Sequence, residues 1–243
     1  MGRTVARASS EEISLPVGND RLRGELLLPS DVRAVVILAL RSIHGRRARY
    51  QVQQLRQRGL GTLLMPLLTP EEEEDDAQTG ELRFNVRLLG QRILYQMQAV
   101  ESRLGGRLEL GILASSTAAA GALVAAAQRP EVVRALVLQG GRPELAVFAL
   151  SEVQAPTLLV VGAADEPCIH SNQIAALRLH APHRLDVIEG ASHRFVEAGK
   201  LEEMADLSTS WFERHLRHPQ SVPPPASHVE LRFRDQRVAT KND

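Results

Sequence analysis

Short, continuous apolar runs alternate along the chain with stretches whose apolar residues recur at helical spacing. The clearest apolar run is Arg33–Leu40 (RAVVILAL), which has the composition of a parallel strand buried on both faces. Leu82–Leu104 shows helical spacing and predicts a long amphipathic helix. Near the N-terminus, Glu12–Val17 and Arg21–Leu28 flank a Gly-Asn-Asp turn, which predicts a β-hairpin. Further strands are predicted at Leu60–Leu68, Val132–Leu138, Ala155–Val161 and Arg184–Glu189, and further helices at Tyr50–Arg58, Leu145–Leu150, Ser171–Leu179 and Leu201–Leu216.

Strands that alternate with helices after an opening hairpin predict a single α/β domain with a doubly wound, mostly parallel sheet. We place this domain at residues 11–217, after a frayed N-terminus at residues 1–10. Residues 218–243 contain Pro223-Pro224-Pro225 and are predicted to form a flexible, Pro-rich tail, with a candidate added strand at Val229–Phe233. Ligands of such sheets bind where the carboxyl ends of the strands meet.

The composition of the chain limits the classes of function that it can have. Basic and acidic side chains balance at 29 each, which argues against a broad nucleic-acid surface. Cys168 is the only cysteine, so no intrachain disulfide can form and we expect a cytoplasmic protein. The first residues, MGRTVARASSEEISL, lack the apolar segment of a secretory signal, and no apolar run predicts a membrane span. Aromatic residues make up only 3%, which disfavours a base-stacking platform.

Leu108–Ala127 carries the strongest chemical signal. An apolar strand leads into Ser115, Ser116 and Thr117, and an alanine-rich helical run follows at once. A serine at a sharp strand-to-helix turn is typical of the nucleophile elbow, whose usual pattern is Gly-x-Ser-x-Gly. Centred on Ser116 the sequence is instead Ala-Ser-Ser-Thr-Ala, so both glycines are replaced. Ser116 alone could be a helix N-cap, and Ser115, the alternative nucleophile, has bulkier flanking residues.

A serine nucleophile needs a base to take its proton and an acid to orient that base. In a fold of this kind the chain order is Ser, then Asp or Glu, then His. Asp165 follows the Ala155–Val161 strand, and His193 follows the Arg184–Glu189 strand. Separately, Asp165 could be a turn residue and His193 a loop residue. Together with Ser116, they place all three groups of a catalytic triad at the carboxyl edge of the sheet.

The chain resembles the α/β-hydrolases of the dienelactone-hydrolase-like group, and within it the members found fused to or beside phosphoribosyltransferase domains. The resemblance spans roughly residues 12–216. No phosphoribosyltransferase pyrophosphate loop occurs in the sequence. The segments that carry the resemblance are LLMPLLTPEEEEDDAQTGELRFNVRLLGQRI, SSTAAAGALVAAAQRPEVVRALVLQGGRPELA, APTLLVVGAADE and EGASHRFVEAGKLEEMADLSTSWFERHL.

The resemblance implies Ser116 as nucleophile, His193 as base and Asp165 as acid. It also implies an oxyanion hole made from the backbone N–H groups of Thr117 and of Arg41, in the loop after Arg33–Leu40. That loop lacks the family's His-Gly-Ser-Gly, and a His44-Gly45 pair occurs a few residues later. Cys168 lies away from the elbow, so it does not match the thiol nucleophile of true dienelactone hydrolases; we expect a small, partly buried side chain.

Two functions remain open. The first is a serine-dependent hydrolase of an ester, lactone or thioester, with a small-molecule acyl substrate and no metal or organic cofactor. The alternative is a catalytically impaired member of the fold that acts as a binding or accessory module. The acidic run Glu71–Asp76 is interpreted as a solvated loop or a helix start, because consecutive carboxylates without His or Cys do not converge on a metal ion. A cluster of basic residues is either a solvated loop or an anion site: Arg41, Arg46, Arg47 and Arg49.

Little sequence is available for a lid, since Gly140–Ser151 is the only insertion near the usual cap position, and we therefore expect an open site. No membrane or nucleic-acid partner is predicted, and the sequence does not indicate an oligomeric state.

Overall fold

The central sheet has nine strands within the described part of the chain, in the order β1-β2-β4-β3-β5-β6-β7-β8-β9. A computed structural model describes residues 9–30, 32, 34–40, 43–104 and 109–216, and the backbone of 231–233. The β1–β2 and β2–β4 pairs are antiparallel and the later pairs are parallel. The strands are β1 Ser9–Val17, β2 Asp20–Leu28, β3 Ala34–Ala39, β4 Gly61–Leu64, β5 Glu109–Ser115, β6 Val133–Gln139, β7 Thr157–Gly162, β8 His183–Ile188 and β9 Leu231–Phe233.

Helices cover both faces of the sheet. Successive residues of β3 show why: Val35 and Ile37 pack into one apolar cluster, and Val36 packs into the other. Helices α3, α4 and α5 contribute to the first cluster, while α1 and α6 contribute to the second. Two 3₁₀ segments occur at Leu82–Phe84 and Pro143–Glu152. The α-helices are α1 Arg46–Gln57, α2 Pro70–Thr79, α3 Val86–Leu104, α4 Ala118–Gln128, α5 Glu166–Ala176 and α6 Lys200–Leu216.

The predicted fold class is confirmed: a mostly parallel, doubly wound sheet with an antiparallel hairpin at its start. The strand predicted at Leu60–Leu68 ends at Leu64, shortly before Pro66, which has no N–H to donate to a sheet. A three-residue strand, β9, lies inside the predicted 229–233 strand and pairs parallel with β8. The proposed limits of the domain and the tail stay predictions. Among the described helices, none has the length and apolar character that crossing a bilayer requires.

The structure decides one open local prediction, in favour of the helix start, and corrects two others. The acidic run Glu71–Asp76 is part of a regular helix, α2, because Thr69 and Glu72 form a capping box around Pro70. The helix predicted at Ser171–Leu179 begins earlier, at Glu166. Its N-terminal cap is the side chain of Asp165, and the predicted caps Ser171 and Asn172 lie inside the helix. Helix α1 likewise begins before the predicted Tyr50, at Arg46.

Candidate active site

Ser116 lies at the sharp turn between β5 and α4. Its φ is +54°, in the left-handed region that residues other than glycine rarely adopt. Backbone hydrogen bonds hold it there: Ala119 N and Arg142 N donate to the Ser116 carbonyl at 3.2 and 3.0 Å, and Ser116 N donates to the Gln139 carbonyl at 3.4 Å. Such a conformation persists only where the surroundings enforce it, which is typical of functional sites. The Ser116 side chain is half-buried.

The two alanines that replace the usual glycines fit this turn. Ala114 is fully buried in β5, and Ala118 is the first residue of α4. Neither has a positive φ, so neither needs the conformational freedom of glycine. The close contact between α4 and the loop after β6 falls instead on Gly141, where a Cβ would lie 2.7 Å from the Cβ of Ala119. The altered elbow sequence is therefore compatible with elbow geometry.

Asp165 and His193 are paired. His193 Nδ1 and Asp165 Oδ2 are 2.6 Å apart, and because a carboxylate can only accept, Nδ1 donates and Nε2 is left as an acceptor. The Asp165 side chain is 17% exposed and that of His193 is 49% exposed. Asp165 Oδ1 also accepts from Cys168 N at 3.4 Å, as the cap of α5. The same carboxylate thus fixes both a helix start and the orientation of an imidazole.

The loops that carry Asp165 and His193 pack tightly because of Gly162, the last residue of β7. A Cβ at Gly162 would lie 2.4 Å from the carbonyl oxygen of Ala191 and 2.5 Å from that of Ser192. Ala164 N donates to the Ala191 carbonyl at 3.0 Å and completes the contact. Only a residue without a side chain lets the loop after β7 approach the loop after β8 this closely.

Ser116 and His193 line the same two clefts at the carboxyl edge of the sheet. The larger cleft has a volume of about 490 Å³ and the smaller about 390 Å³. Apolar side chains form much of the larger cleft: Leu40, Ile43, Leu67, Leu68, Phe84, Leu89 and Ala118. Its polar lining comes from His44, Glu73, Asp76, Arg83, Ser115, Thr117 and Arg142. The smaller cleft adds Gly45, Arg47, Gln139 and Arg194.

Of the two predicted oxyanion donors, Thr117 lines the larger cleft beside Ser116. Arg41 lies outside the described residues. His44 is exposed and also lines the larger cleft, while Gly45 is the N-cap of α1. The oxyanion role of Thr117 and Arg41 stays a prediction.

The basic residues near the site divide into two groups. Arg46 and Arg49 are exposed to solvent, but they lie in helix α1 and not in the loop that the sequence predicted. Arg47 turns inward: one guanidinium nitrogen donates to Gln139 Oε1 at 3.0 Å, and the guanidinium lies 5.4 Å from the ring centre of Phe195. Burial lowers the pKa of Arg47 to about 10. Gln139 also bonds to Gln51, which ties α1 to the end of β6 behind the elbow.

Cys168 is buried, as its sequence context suggested, but it lies next to the Asp165–His193 pair. Its sulfur, one carboxylate oxygen of Asp165 and one ring nitrogen of His193 all lie within 4.8 Å of one another. Burial, followed by the charge of Asp165, raises the pKa of the Cys168 thiol to about 12. A buried thiol that stays protonated at neutral pH is a poor nucleophile, so we assign Cys168 no nucleophilic role.

Comparison with known proteins identifies the family of this chain. No family model matches the sequence. The crystal structure of a dienelactone hydrolase from Anabaena variabilis is 42% identical, covers 86% of this chain and 99% of its own, and superposes with a TM-score of 0.82. The chain belongs to the dienelactone-hydrolase-like group of α/β-hydrolases. A dienelactone-hydrolase-like promiscuous phosphotriesterase from metagenomic libraries, 14% identical with a TM-score of 0.70, shares the fold over 86% of this chain and 98% of its own.

Two proteins of Mycobacterium tuberculosis named putative phosphoribosyl transferase are each 38% identical over 213 residues. The match covers 86% of this chain but 47% of each relative, so the chain spans about half the length of these curated relatives.

Sequence reasoning left one part of this dienelactone-hydrolase-like site undecided and missed another. The first is α2 with the 3₁₀ segment after it, which brings Glu73, Asp76, Arg83 and Phe84 to the larger cleft. The Thr-Pro-Glu-Glu capping signature at Thr69 could have predicted the helix. The second is the proximity of Cys168 to Asp165, which follows from their spacing once Asp165 is known to cap α5.

Proposed function

We propose that this chain is a serine-dependent hydrolase of an ester, lactone or thioester, with Ser116 as nucleophile, His193 as base and Asp165 as acid. The observation that carries the proposal is the 2.6 Å bond between His193 Nδ1 and Asp165 Oδ2, at a cleft that His193 shares with a left-handed Ser116. The left-handed turn is the conformation that a nucleophile elbow requires, and the bond fixes the tautomer that a general base needs.

The arrangement supports a double-displacement mechanism. Ser116 Oγ attacks the carbonyl carbon while His193 Nε2 takes the hydroxyl proton, and the Asp165 carboxylate stabilises the imidazolium that forms. His193 then returns the proton to the leaving oxygen or sulfur, which leaves an acyl group on Ser116. Water, deprotonated by the same imidazole, releases the acid. The backbone N–H of Thr117, and that of Arg41 by the family pattern, would stabilise the oxyanion, and each such donor is worth about 3 kcal/mol in the transition state.

The larger cleft supports a substrate with an apolar acyl group. Its volume of about 490 Å³ is within the range of small-molecule sites, and leucine side chains from three parts of the chain form its wall. The dienelactone hydrolase of Anabaena variabilis, at 42% identity, supports a carbonyl substrate of the ester or lactone type. The phosphoribosyl transferase name belongs to proteins about twice as long, and we do not propose that activity for this chain.

The remaining expectations belong to the same proposal. Residues 11–217 act as the hydrolase domain, and residues 218–243 as a tail. Action in the cytoplasm is supported by a single cysteine that is buried and reduced. The mechanism requires no cofactor or nucleic-acid partner, and the proposed acyl substrate is a small molecule.

The test is a rate comparison across short-chain aryl esters, a thioester and an unsaturated lactone. Ser116→Ala should reduce turnover by about 10³-fold or more, because the acyl-enzyme route is removed. Ser115→Ala is the matched control: this neighbouring hydroxyl is buried at 8% exposure, and its loss should change turnover less than tenfold. Equal rates for wild type and Ser116→Ala on every substrate would contradict the proposal and favour the accessory-module alternative.

A further inference from the structure

We infer that Asp165, Cys168 and His193 form a binding site for a thiophilic divalent cation such as Zn²⁺, and that occupancy of this site reversibly blocks hydrolysis. The blocking step rests on the function proposed above, whereas the binding site does not. The starting observation is that one oxygen, one sulfur and one nitrogen ligand atom from these residues all lie within 4.8 Å of one another.

The separations are close to those that a tetrahedral ion requires. Zinc bonds of about 2.0–2.3 Å place the ligand atoms roughly 3.4–3.6 Å apart. The Asp165 Oδ2 and His193 Nδ1 atoms, now 2.6 Å apart, would separate by less than about 1 Å to admit the ion between them. The sulfur lies at most 4.8 Å from one carboxylate oxygen of Asp165 and from one ring nitrogen of His193, and it would approach them by about 1 Å. A χ1 rotation of about 30° moves a cysteine sulfur by roughly 1 Å.

Metal binding must overcome the burial that raises the pKa of the Cys168 thiol, and two features around the sulfur assist it. The Asn172 amide is fully buried, and its Nδ2 donates to the carbonyls of Cys168 and Gly141 at 2.8 and 3.0 Å and lies 3.4 Å from Cys168 Sγ. The Cys168 thiol contacts the Gly141 carbonyl at 3.5 Å. These bonds hold the Cys168 side chain in place, and hydrogen bonds around a coordinating residue orient it. Cys168 also lies in the first turn of α5, an eleven-residue helix, where the helix dipole favours negative charge. The Asp165 carboxylate, which disfavours a bare thiolate, becomes favourable once a dication lies between the two groups.

Access and ligand chemistry select the ion. The His193 side chain is 49% exposed, so an ion and a fourth ligand from solvent can reach the site. A sulfur–nitrogen–oxygen set suits Zn²⁺, whereas Mg²⁺ and Ca²⁺ prefer oxygen ligands alone. Coordination releases one proton to solvent, from the thiol, because the imidazole proton moves from Nδ1 to Nε2.

That shift of the proton explains the block. With the metal on Nδ1 and a proton on Nε2, His193 no longer has a lone pair to accept the Ser116 hydroxyl proton. The Asp165 carboxylate is also taken from its role beside the imidazole. The cation is therefore an inhibitor that competes with the catalytic arrangement, and removal of the ion restores it.

The experiment uses the full chain, freed of metal by a chelator. Zn²⁺ affinity is measured by competition with a chromophoric chelator, and Co²⁺ is added as a spectroscopic probe of sulfur coordination. We expect one equivalent of Zn²⁺ per chain and a thiolate-to-cobalt charge-transfer band. Cys168→Ser, a nearly isosteric change, should weaken Zn²⁺ at least tenfold and remove the band. His193→Ala, at an exposed side chain, should weaken Zn²⁺ similarly. His170→Ala, an exposed histidine on α5, is the control and should change neither readout.

Separate arms distinguish the site from the hydrolase function. Ser116→Ala should bind Zn²⁺ like the wild type, so binding is measurable whether or not the chain hydrolyses esters. In the hydrolysis arm, Zn²⁺ should slow ester turnover by the wild type, and a chelator should restore the rate. Inhibition of Cys168→Ser, measured against its own metal-free rate, should require at least tenfold more Zn²⁺. Wild-type binding that Cys168→Ser leaves unchanged would overturn the site. Tight, Cys168-dependent binding that leaves ester hydrolysis undiminished would overturn the blocking role.

Discussion

Asp165 carries two interactions that substitution can separate. One carboxylate oxygen accepts from Cys168 N at 3.4 Å and caps α5, and the other accepts from His193 Nδ1 at 2.6 Å. Asparagine and aspartate cap helices about equally well, so Asp165→Asn keeps the cap. An asparagine amide cannot hold His193 in the tautomer that a general base requires. We therefore predict that Asp165→Asn lowers turnover by about 10⁴-fold, the size of effect seen when an aspartate of this kind is converted to its amide.

Asp165→Asn should lower the unfolding free energy only slightly, although it lowers turnover strongly. The His193 side chain is half exposed, so its pairing with Asp165 contributes at most about 1 kcal/mol to folding. The cap hydrogen bond is long, which puts its loss at the lower end of the usual range, about 0.5–1 kcal/mol. Asp165→Ala removes both interactions. It should lose as much activity as Asp165→Asn, and its unfolding free energy should be lower than that of Asp165→Asn by the contribution of the cap hydrogen bond.

The assay pairs ester turnover with denaturant unfolding of the wild type and both variants. The expected pattern is two equally inactive proteins that differ in unfolding free energy by the value of the cap. Turnover by Asp165→Asn within tenfold of wild type would refute the catalytic assignment. Equal destabilisation by both substitutions would refute the separation of the two roles.

Two further predictions rest on other parts of the site and fold. Gly162→Ala should lower the unfolding free energy by about 1–3 kcal/mol and turnover at least tenfold, because its Cβ would push the His193 loop away from Asp165. Gly18→Ala, in an open turn, is the control for turnover. Equal turnover losses in the two variants would contradict this account. Burial, together with nearby arginines, lowers the pKa of His215 to about 4, below its unfolded value of about 6.5. The unfolded state therefore binds the proton first, and unfolding free energy should fall as pH drops from about 6.5 to 4. His215→Phe keeps a ring beside Trp211 and should flatten that part of the stability–pH profile; an unchanged profile would contradict the assignment.

The sheet and the candidate triad could be predicted because their signals are local and strong. A run such as RAVVILAL is typical of a buried strand, and the order Ser116, Asp165, His193, each after a predicted strand, matches one topology. The structure adds the pairing of Asp165 with His193 and the left-handed turn at Ser116. It also explains why alanines are tolerated beside Ser116, since sequence alone does not show which residues of a turn have a positive φ.

Other features depend on tertiary contacts that the sequence pattern does not encode. The charge run after Thr69 left both a loop and a helix possible, because the capping box that starts the helix is formed by only two side chains. Arg47 lies among arginines in the first turn of α1, yet its side chain turns inward because Gln139 and Phe195 offer a hydrogen bond and a ring face. The position of Cys168 next to His193 depends on two loops that close over Gly162, a contact between parts of the chain that are distant in sequence.

The central claim is that Ser116 is an activated nucleophile, and covalent trapping tests it most directly. The chain is incubated with a fluorophosphonate probe, and the adduct is located by peptide mass spectrometry, with Ser115→Ala and Ser116→Ala as companions. We predict one adduct per chain on Ser116, retained in Ser115→Ala and absent from Ser116→Ala. An unlabelled wild type, or a label that persists in Ser116→Ala, would contradict the account.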